Sequence, residues 1–193
     1  MVILLYGGVG AGKSAALSYL KEAYAADVIG TDETAHELYE TGREGYRAVL
    51  RLLGERVKNR DGSLNRKKMA DLLYRDPALL EKLDAVIHPL VLSELKNKVS
   101  GSKAPCIVVE TALPQKTESD MFDEVWYVYT PEEVRIERLM KNRGYSRERA
   151  REIMSRQPSE KEYRSHADLI LDNGGTVEDL KRQIDDRMRR GMS

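Results

Sequence analysis

Residues 7–14 read GGVGAGKS, directly after the apolar run Val2-Ile3-Leu4-Leu5-Tyr6 and directly before a segment of helical composition, residues 15–24. Strand, glycine-rich loop and helix in that order restrict the chain to folds in which a polyphosphate rests on a helix N-terminus. Glycines let the backbone curl so that successive N–H groups point at phosphate oxygens, and the helix start adds partial positive charge. Gly8, Val9, Gly10, Ala11 and Gly12 form the loop, and Lys13, Ser14 and Ala15 open the helix. Lys13 has the reach for the β/γ-phosphates, and the Ser14 hydroxyl is placed to ligate Mg²⁺ beside them. A glycine-rich turn with an incidental Lys-Ser pair rarely brings both flanks with it.

The chain has 193 residues, enough for one nucleotide-binding core with inserted subdomains at about 100–200 residues per domain. Its 32 basic and 32 acidic residues cancel, so no global basic field points to a nucleic-acid partner and any anion site is local. The single Cys106 precludes an intramolecular disulfide, fits a reducing compartment and reads as buried filler. No signal-peptide pattern and no apolar stretch approaching about 18 residues is present, so the expectation is a soluble, cytoplasmic protein without membrane contact. No coiled-coil heptad is legible, which leaves a monomer or a weak homo-oligomer.

Short apolar runs at 2–6, 106–109, 125–129 and 169–171, with a weak one at 27–29, alternate with charged helix-favouring stretches. This rhythm predicts a three-layer α/β fold with a five-stranded parallel sheet. The 27–29 run brings Asp32 to a strand's carboxyl end, the edge where open α/β sheets bind ligands and where the loop also lies. Residues 33–102 contain no strand-like run and read as a helical insertion punctuated by Thr41-Gly42, Asp61-Gly62 and Asp76-Pro77. Residues 141–165 read as a helical lid: Arg143-Gly144-Tyr145-Ser146 breaks one helix, Ser146 caps the next, and Gln157-Pro158 ends it. Arg147, Arg149, Arg151 and Arg156 on that helix suit a lid over polyphosphate, but only one or two can point inward, and for most of them a solvated face balanced by Glu148 and Glu152 is the favoured reading. The nucleotide-binding core is then 1–32, 103–140 and 166–193, closed by an amphipathic helix over 177–190.

Several further stretches occur in one order: Ile29-Gly30-Thr31-Asp32, similar to an I-D-A-D motif; Ala35-His36-Glu37-Leu38-Tyr39 with Gly42; Asp61-Gly62-Ser63-Leu64-Asn65-Arg66; Ile87-His88-Pro89-Leu90-Val91; Arg138-Leu139-Met140; Gln157; and 167–175, ADLILDNGG. Each is weak alone, but in this order over nearly the whole chain they resemble the dephospho-coenzyme A kinases, P-loop kinases of the nucleoside-monophosphate-kinase-like group. The resemblance implies a P-loop kinase fold and ATP-dependent, Mg²⁺-assisted phosphorylation of the ribose 3′-hydroxyl of dephospho-coenzyme A. It also implies that the Asn173-Gly174 turn lies against the adenine, and that Tyr39, Arg66 and His88 belong to the acceptor-binding helical region.

Phosphoryl transfer to an alcohol needs charge neutralisation, in-line positioning and a group that orients or deprotonates the hydroxyl. Lys13, Ser14 with Mg²⁺ and the loop amides supply the first, and Asp32 is the candidate for the last; a helix N-cap is its alternative role. Arg143, then Arg138, is the candidate for contact with the transferred phosphoryl group. Here the chain departs from the family's R-L-M-x-R, because Asn142 stands at the second arginine's place and Arg143 follows it. Gly30 stands where the family often has an Asp, and 110–116 reads ETALPQK where the family has P-L-L-F-E. Glu110 at the strand end can bind Mg²⁺ through water, help hold the acceptor, or be a solvated acid. His88 within its apolar helical pattern reads first as a structural residue. The leading function is dephospho-coenzyme A kinase; the alternatives are another nucleotide or nucleoside kinase on this scaffold and a nucleotide-switched binding protein. Neither an N-K-x-D motif nor a D-x-x-G after the second strand supports the switch.

Overall fold

A computed structural model describes residues 1–112 and 120–191. In chain order the elements are β1 Val2–Tyr6, α1 Lys13–Tyr24, β2 Asp27–Gly30, α2 Thr31–Leu38, α3 Glu44–Leu53, a 3-10 turn Glu55–Val57, α4 Arg66–Arg75, α5 Pro77–Gly101, β3 Ile107–Thr111, β4 Glu124–Tyr129, α6 Glu132–Arg143, α7 Arg147–Ser155, α8 Glu160–Ser165, β5 Leu169–Asp172 and α9 Val177–Gly191. They fall into two compact units, Met1–Val28 with Ser102–Ser193, and Ile29–Gly101.

The sheet has the order β2-β3-β1-β4-β5. β1 pairs in parallel with β3, Leu5 opposite Glu110, and with β4, Ile3 opposite Glu124; β4 continues in parallel to β5, Trp126 opposite Leu169. A central parallel strand is covered on both faces, which is why 3–6 is an unbroken apolar run with no residue more than 4% exposed. Side chains still alternate between faces. Ile3 and Leu5 join Val108, Trp126, Val128 and Leu171 in a core with Ala16 and Leu20 of α1 and Leu180, Ile184 and Met188 of α9. Tyr6 stacks on Tyr127 and on Tyr163 of α8, with centroids 5.6 and 5.9 Å apart. The phenol of Tyr6 donates to the Tyr163 carbonyl (2.6 Å) and that of Tyr163 to the Ala112 carbonyl (3.1 Å), so this aromatic layer leaves no buried hydroxyl unsatisfied. Burial pushes the Tyr127 phenol up to about 12.

Several boundaries differ from the sequence expectation for physical reasons. β3 begins at Ile107 and runs to Thr111, because its ladder to β1 carries Glu110 and Thr111 although neither is apolar. Cys106 precedes the strand, is 2% exposed within the core, and its thiol is held up by burial. α6 continues through Arg143 and stops at Gly144, whose φ of +64° provides a left-handed cap. After Gln157-Pro158 a separate helix forms, α8, opened by a reciprocal Ser159–Glu162 capping box. Of the 110–116 stretch, residues 113–116 lie outside the described residues.

The second unit has its own core, in which Ala48, Val49 and Leu53 of α3, Val57, Met69 of α4, and Leu83 and Ile87 of α5 are buried together. α5 starts with Pro77 at its first position, where a missing N–H costs nothing, and Asp76 accepts from the Leu79 N–H at 3.0 Å. It runs 25 residues and passes through Pro89, which forfeits one helical hydrogen bond; packing of Leu83, Ile87 and Leu95 holds the helix continuous. Among the described residues no helix is long and apolar enough to cross a membrane.

α9 is tied to α1 by one carboxylate. Asp185 accepts from the phenols of Tyr19 (2.7 Å) and Tyr24 (2.8 Å), and these bonds hold it below the ordinary Asp value of 3.8. A depressed carboxylate stabilises the fold above its unfolded value and loses that contribution as pH falls through the folded one. Asp185→Ala is therefore expected to lower Tm by a few degrees at neutral pH, with the gap to the parent closing as pH is taken below about 4, read by thermal unfolding in circular dichroism.

Candidate phosphate-binding site

The loop leaves the buried end of β1 at Tyr6 and re-enters helical geometry at Lys13. Gly12 has φ +85°, and a Cβ there would lie 2.1 Å from Asn173 Nδ2, so both its backbone and its missing side chain are required. The reason for the crowding is a two-donor anchor. The Ala11 carbonyl accepts from Thr130 Oγ1 at 2.9 Å and from Asn173 Nδ2 at 2.8 Å, and both donors are only 3% exposed. Arg138 of α6 braces the pair from behind, donating to Thr130 Oγ1 (3.3 Å) and the Asn173 carbonyl (2.9 Å). Residues just beyond β4 and β5 thus fix the middle of a loop that follows β1.

Lys13, on the first turn of α1, folds back so that Nζ donates to the Gly7 carbonyl (2.9 Å) and lies 3.2 Å from Glu110 of β3. The register that sets Glu110 opposite Leu5 brings that carboxylate to the loop. Its side chain is 25% exposed and that of Lys13 16%, so the pair is partly shielded from water and its attraction is stronger than at an open surface. Ser14 is exposed on the same turn. Gly174 donates its N–H to Asp172 Oδ1 at 2.8 Å, and α9 is then capped by Thr176, whose hydroxyl accepts from the Asp179 N–H.

The segment after β4 contributes two side chains that sequence reasoning had not assigned to the site. Arg135 Nε donates to the Val9 carbonyl at 2.8 Å, and Gln157 Oε1 accepts both from the Val9 N–H (2.9 Å) and from Arg135 Nη2 (2.9 Å). The legible signal was helical spacing: Arg135 lies three residues before Arg138, on one face of α6. Burial lowers the pKa of the Arg135 guanidinium, which nonetheless stays charged.

Arg143 is placed differently from its expected role. Because α6 remains helical through Arg143, five steps of about 100° set it some 140° around the axis from Arg138, whereas Asn142 is about 40° away. Arg143 is exposed, and among the described residues it has no hydrogen bond or ion pair to the loop. The four α7-region arginines are committed to carboxylates: Arg147 (2.5 Å) and Arg151 (3.3 Å) to Glu133, and Arg149 and Arg156 (2.6 Å each) to Glu152.

In the second unit Asp32 lies in the first turn of α2, exposed, while Gly30 is the N-cap. The capping role therefore falls to another residue. Thr34 Oγ1 donates to the Gly30 carbonyl (2.8 Å), and Lys98 of α5 reaches Thr34 (3.2 Å) and Glu37 (2.6 Å), which pins α2 to α5. Arg66 donates to His36 Nε2 at 3.1 Å. Tyr39 is half-buried against the α3–α5 core, and burial, then Asp84, raises its phenol. His88 is exposed on α5.

Gly12→Ala is expected to leave the fold intact and abolish measurable ATP binding, because a left-handed residue costs about 1–2 kcal/mol and the new methyl evicts Asn173 from its bond to Ala11. Nucleotide titration alongside circular dichroism checks it.

Comparison with known proteins agrees with this geometry. The dephospho-CoA kinase family profile matches residues 1–179. A curated dephospho-CoA kinase of Streptococcus mutans is 31% identical over 192 residues, 98% of this chain and 96% of that one. The crystal structure of TT1252 from Thermus thermophilus superposes with a TM-score of 0.81 at 30% identity, covering 98% of this chain and 97% of the other. A dephospho-CoA kinase from Campylobacter jejuni shares the fold, with a TM-score of 0.67 at 19% identity over 97% and 95% of the two chains. The loop anchored at Ala11, the five-stranded sheet and the match over nearly the whole length together place the chain in the dephospho-CoA kinase family.

Proposed function

We infer that the protein transfers the γ-phosphoryl group of ATP to the ribose 3′-hydroxyl of dephospho-coenzyme A, giving coenzyme A and ADP, the last step of coenzyme A formation. The observation that carries this reading is the braced phosphate loop with Lys13 held over it, in a chain that matches the family along residues 1–179.

In this reading the loop 8–15, through those of its amides not already bonded to Gln157 or to loop carbonyls, and Lys13 hold the polyphosphate, and Lys13 leaves Glu110 for the β/γ-phosphates once they bind. Hard oxygen donors, the Ser14 hydroxyl and the Glu110 carboxylate, suit Mg²⁺. When bound, Mg²⁺ neutralises charge on the β- and γ-oxygens. Asp32 takes the proton of the acceptor hydroxyl as the new P–O bond forms and the bond to the β-phosphate oxygen breaks. Its support is its place two residues past the end of β2, exposed in the first turn of α2. Arg138 and Asn173 act by holding the loop, Arg138 through Thr130 and the Asn173 carbonyl and Asn173 through Ala11, while Gly174 offers backbone to the base.

Residues 33–102 form the acceptor-binding region in this reading, with Tyr39, Arg66 and His88 as contacts. Residues 141–165 act as lid, movement being confined to α7 because Tyr163 is 1% exposed in the core. A cytoplasmic location fits the lone, buried Cys106.

An ADP-release assay with Mg·ATP is expected to show turnover with dephospho-coenzyme A and none with adenosine, AMP, CMP or no acceptor. ADP formed only with another of these would move the protein to a different kinase activity, and ATP bound without any turnover would favour a nucleotide switch. Asp32→Asn is expected to cut kcat by about 100-fold or more with ATP affinity kept. Unchanged turnover would remove Asp32 from the chemistry.

A further inference from the structure

We propose that Arg135 is the arginine that receives the terminal phosphate of the nucleotide, in place of the α6 C-terminal arginine that the sequence pattern suggests. The proposal rests on the reading of 7–14 as an ATP loop and goes further in assigning its cation.

Position comes first. Arg135 Nε is on the Val9 carbonyl, and a Cβ on Gly8 would lie 2.3 Å from Nη2 and 2.8 Å from the guanidinium carbon, so the group lies directly against the Gly8–Val9 turn. Lys13 Nζ rests on the carbonyl of Gly7, the neighbouring residue. Two cations therefore converge on the 7–9 side of the loop, opposite in sequence to the helix start at 13–15. Since the loop lysine serves the β/γ end of the nucleotide, Arg135 stands at that end too.

Charge comes second. The arginines of the α7 region are neutralised by Glu133 and Glu152, and Lys13 by Glu110. Arg135, like Arg138, has only neutral oxygens as acceptors, here the Val9 carbonyl and the Gln157 amide, and of the two it is Arg135 that lies against the Gly8–Val9 turn beside the carbonyl that Lys13 holds. Glu132 and Glu160 act on it through space, and among the described residues neither is within ion-pair distance. Nη1 has no acceptor among the described residues. A half-buried guanidinium with neutral partners and an unused donor edge is suited to an anion that arrives later.

Helix register comes third. Asn142 is seven residues on from Arg135, about 20° from it around α6, so Arg135 lies on the stripe from which the pattern's arginine is missing. Arg143 lies some 80° from that stripe. Gln157 is then a positioning residue: its amide oxygen bridges the Val9 N–H and Nη2 and fixes the guanidinium plane.

The test is titration of the whole protein with Mg·ATP and with Mg·ADP, without acceptor, so that it does not depend on which alcohol is phosphorylated. Arg135→Gln keeps a neutral donor and removes the charge. It is expected to weaken ATP by about 10-fold or more, with ADP weakened by no more than about 2-fold and Tm lowered by at most a few degrees for the lost bond to the Val9 carbonyl, and Arg135→Lys to recover part of the ATP loss. Equal weakening of both nucleotides, or unchanged ATP affinity, would overturn the proposal and leave Arg135 as a strut of the loop. A parent protein that binds ATP yet phosphorylates no dephospho-coenzyme A would count against the kinase reading alone.

Discussion

The carbonyl of Ala11 is the point on which the phosphate site depends. A loop that must present amides to a ligand can spend few of them on its own folding, and beyond the Val9 N–H on Gln157 and the Ala11 N–H on the Gly8 carbonyl this one is held by its carbonyls. Ala11 is gripped by Thr130 and Asn173, Val9 by Arg135 and Gly7 by Lys13, and each donor comes from outside the loop or from its far end. The sheet order makes this possible: β4 and β5 lie successively beside β1, so the residues that follow each strand arrive at the loop together.

That arrangement places several cations in a protein whose formal net charge is zero. Most are compensated locally, and the pairings differ in purpose. Exposed pairs such as Arg149 with Glu152 contribute little to stability and mainly keep a helix surface solvated. The Lys13–Glu110 pair is partly buried and holds a flexible side chain ready over the loop, a contact that a polyphosphate can replace with a more strongly charged one. Arg135 and Arg138 differ again, because their hydrogen bonds all go to neutral oxygens and neither has a carboxylate within ion-pair distance among the described residues.

The ten tyrosines against one phenylalanine also have a structural reason. Tyr6, Tyr127 and Tyr163 stack within the first unit, and the phenols of Tyr6 and Tyr163 supply the hydrogen bonds that fasten α8 and the end of β3 to the sheet. Tyr19 and Tyr24 do the same between α1 and α9 through Asp185. Phenylalanine would fill these volumes but leave the backbone carbonyls and the carboxylate without their donors.

Local patterns were enough for the loop, the alternation of strands and helices, the helical character of 33–102 and the family. Each rests on the order of residues along the chain: glycine spacing, apolar runs of strand length, and Asp-Pro or Asx-Gly breaks. The arginine assignments were not legible in the same way. Where Arg143 faces depends on where α6 stops, because one residue of helix turns a side chain by about 100°, and Arg135 meets the loop only through the packing of α6 against it. Glu110 was readable only as a strand-end acid; its meeting with Lys13 follows from the register between β1 and β3, which no local pattern encodes. The sequence by itself determined that a polyphosphate loop would form and in what class of fold. Only the tertiary structure decided which distant donors hold that loop, because those bonds join residues more than a hundred positions apart and exist only once the strands are side by side.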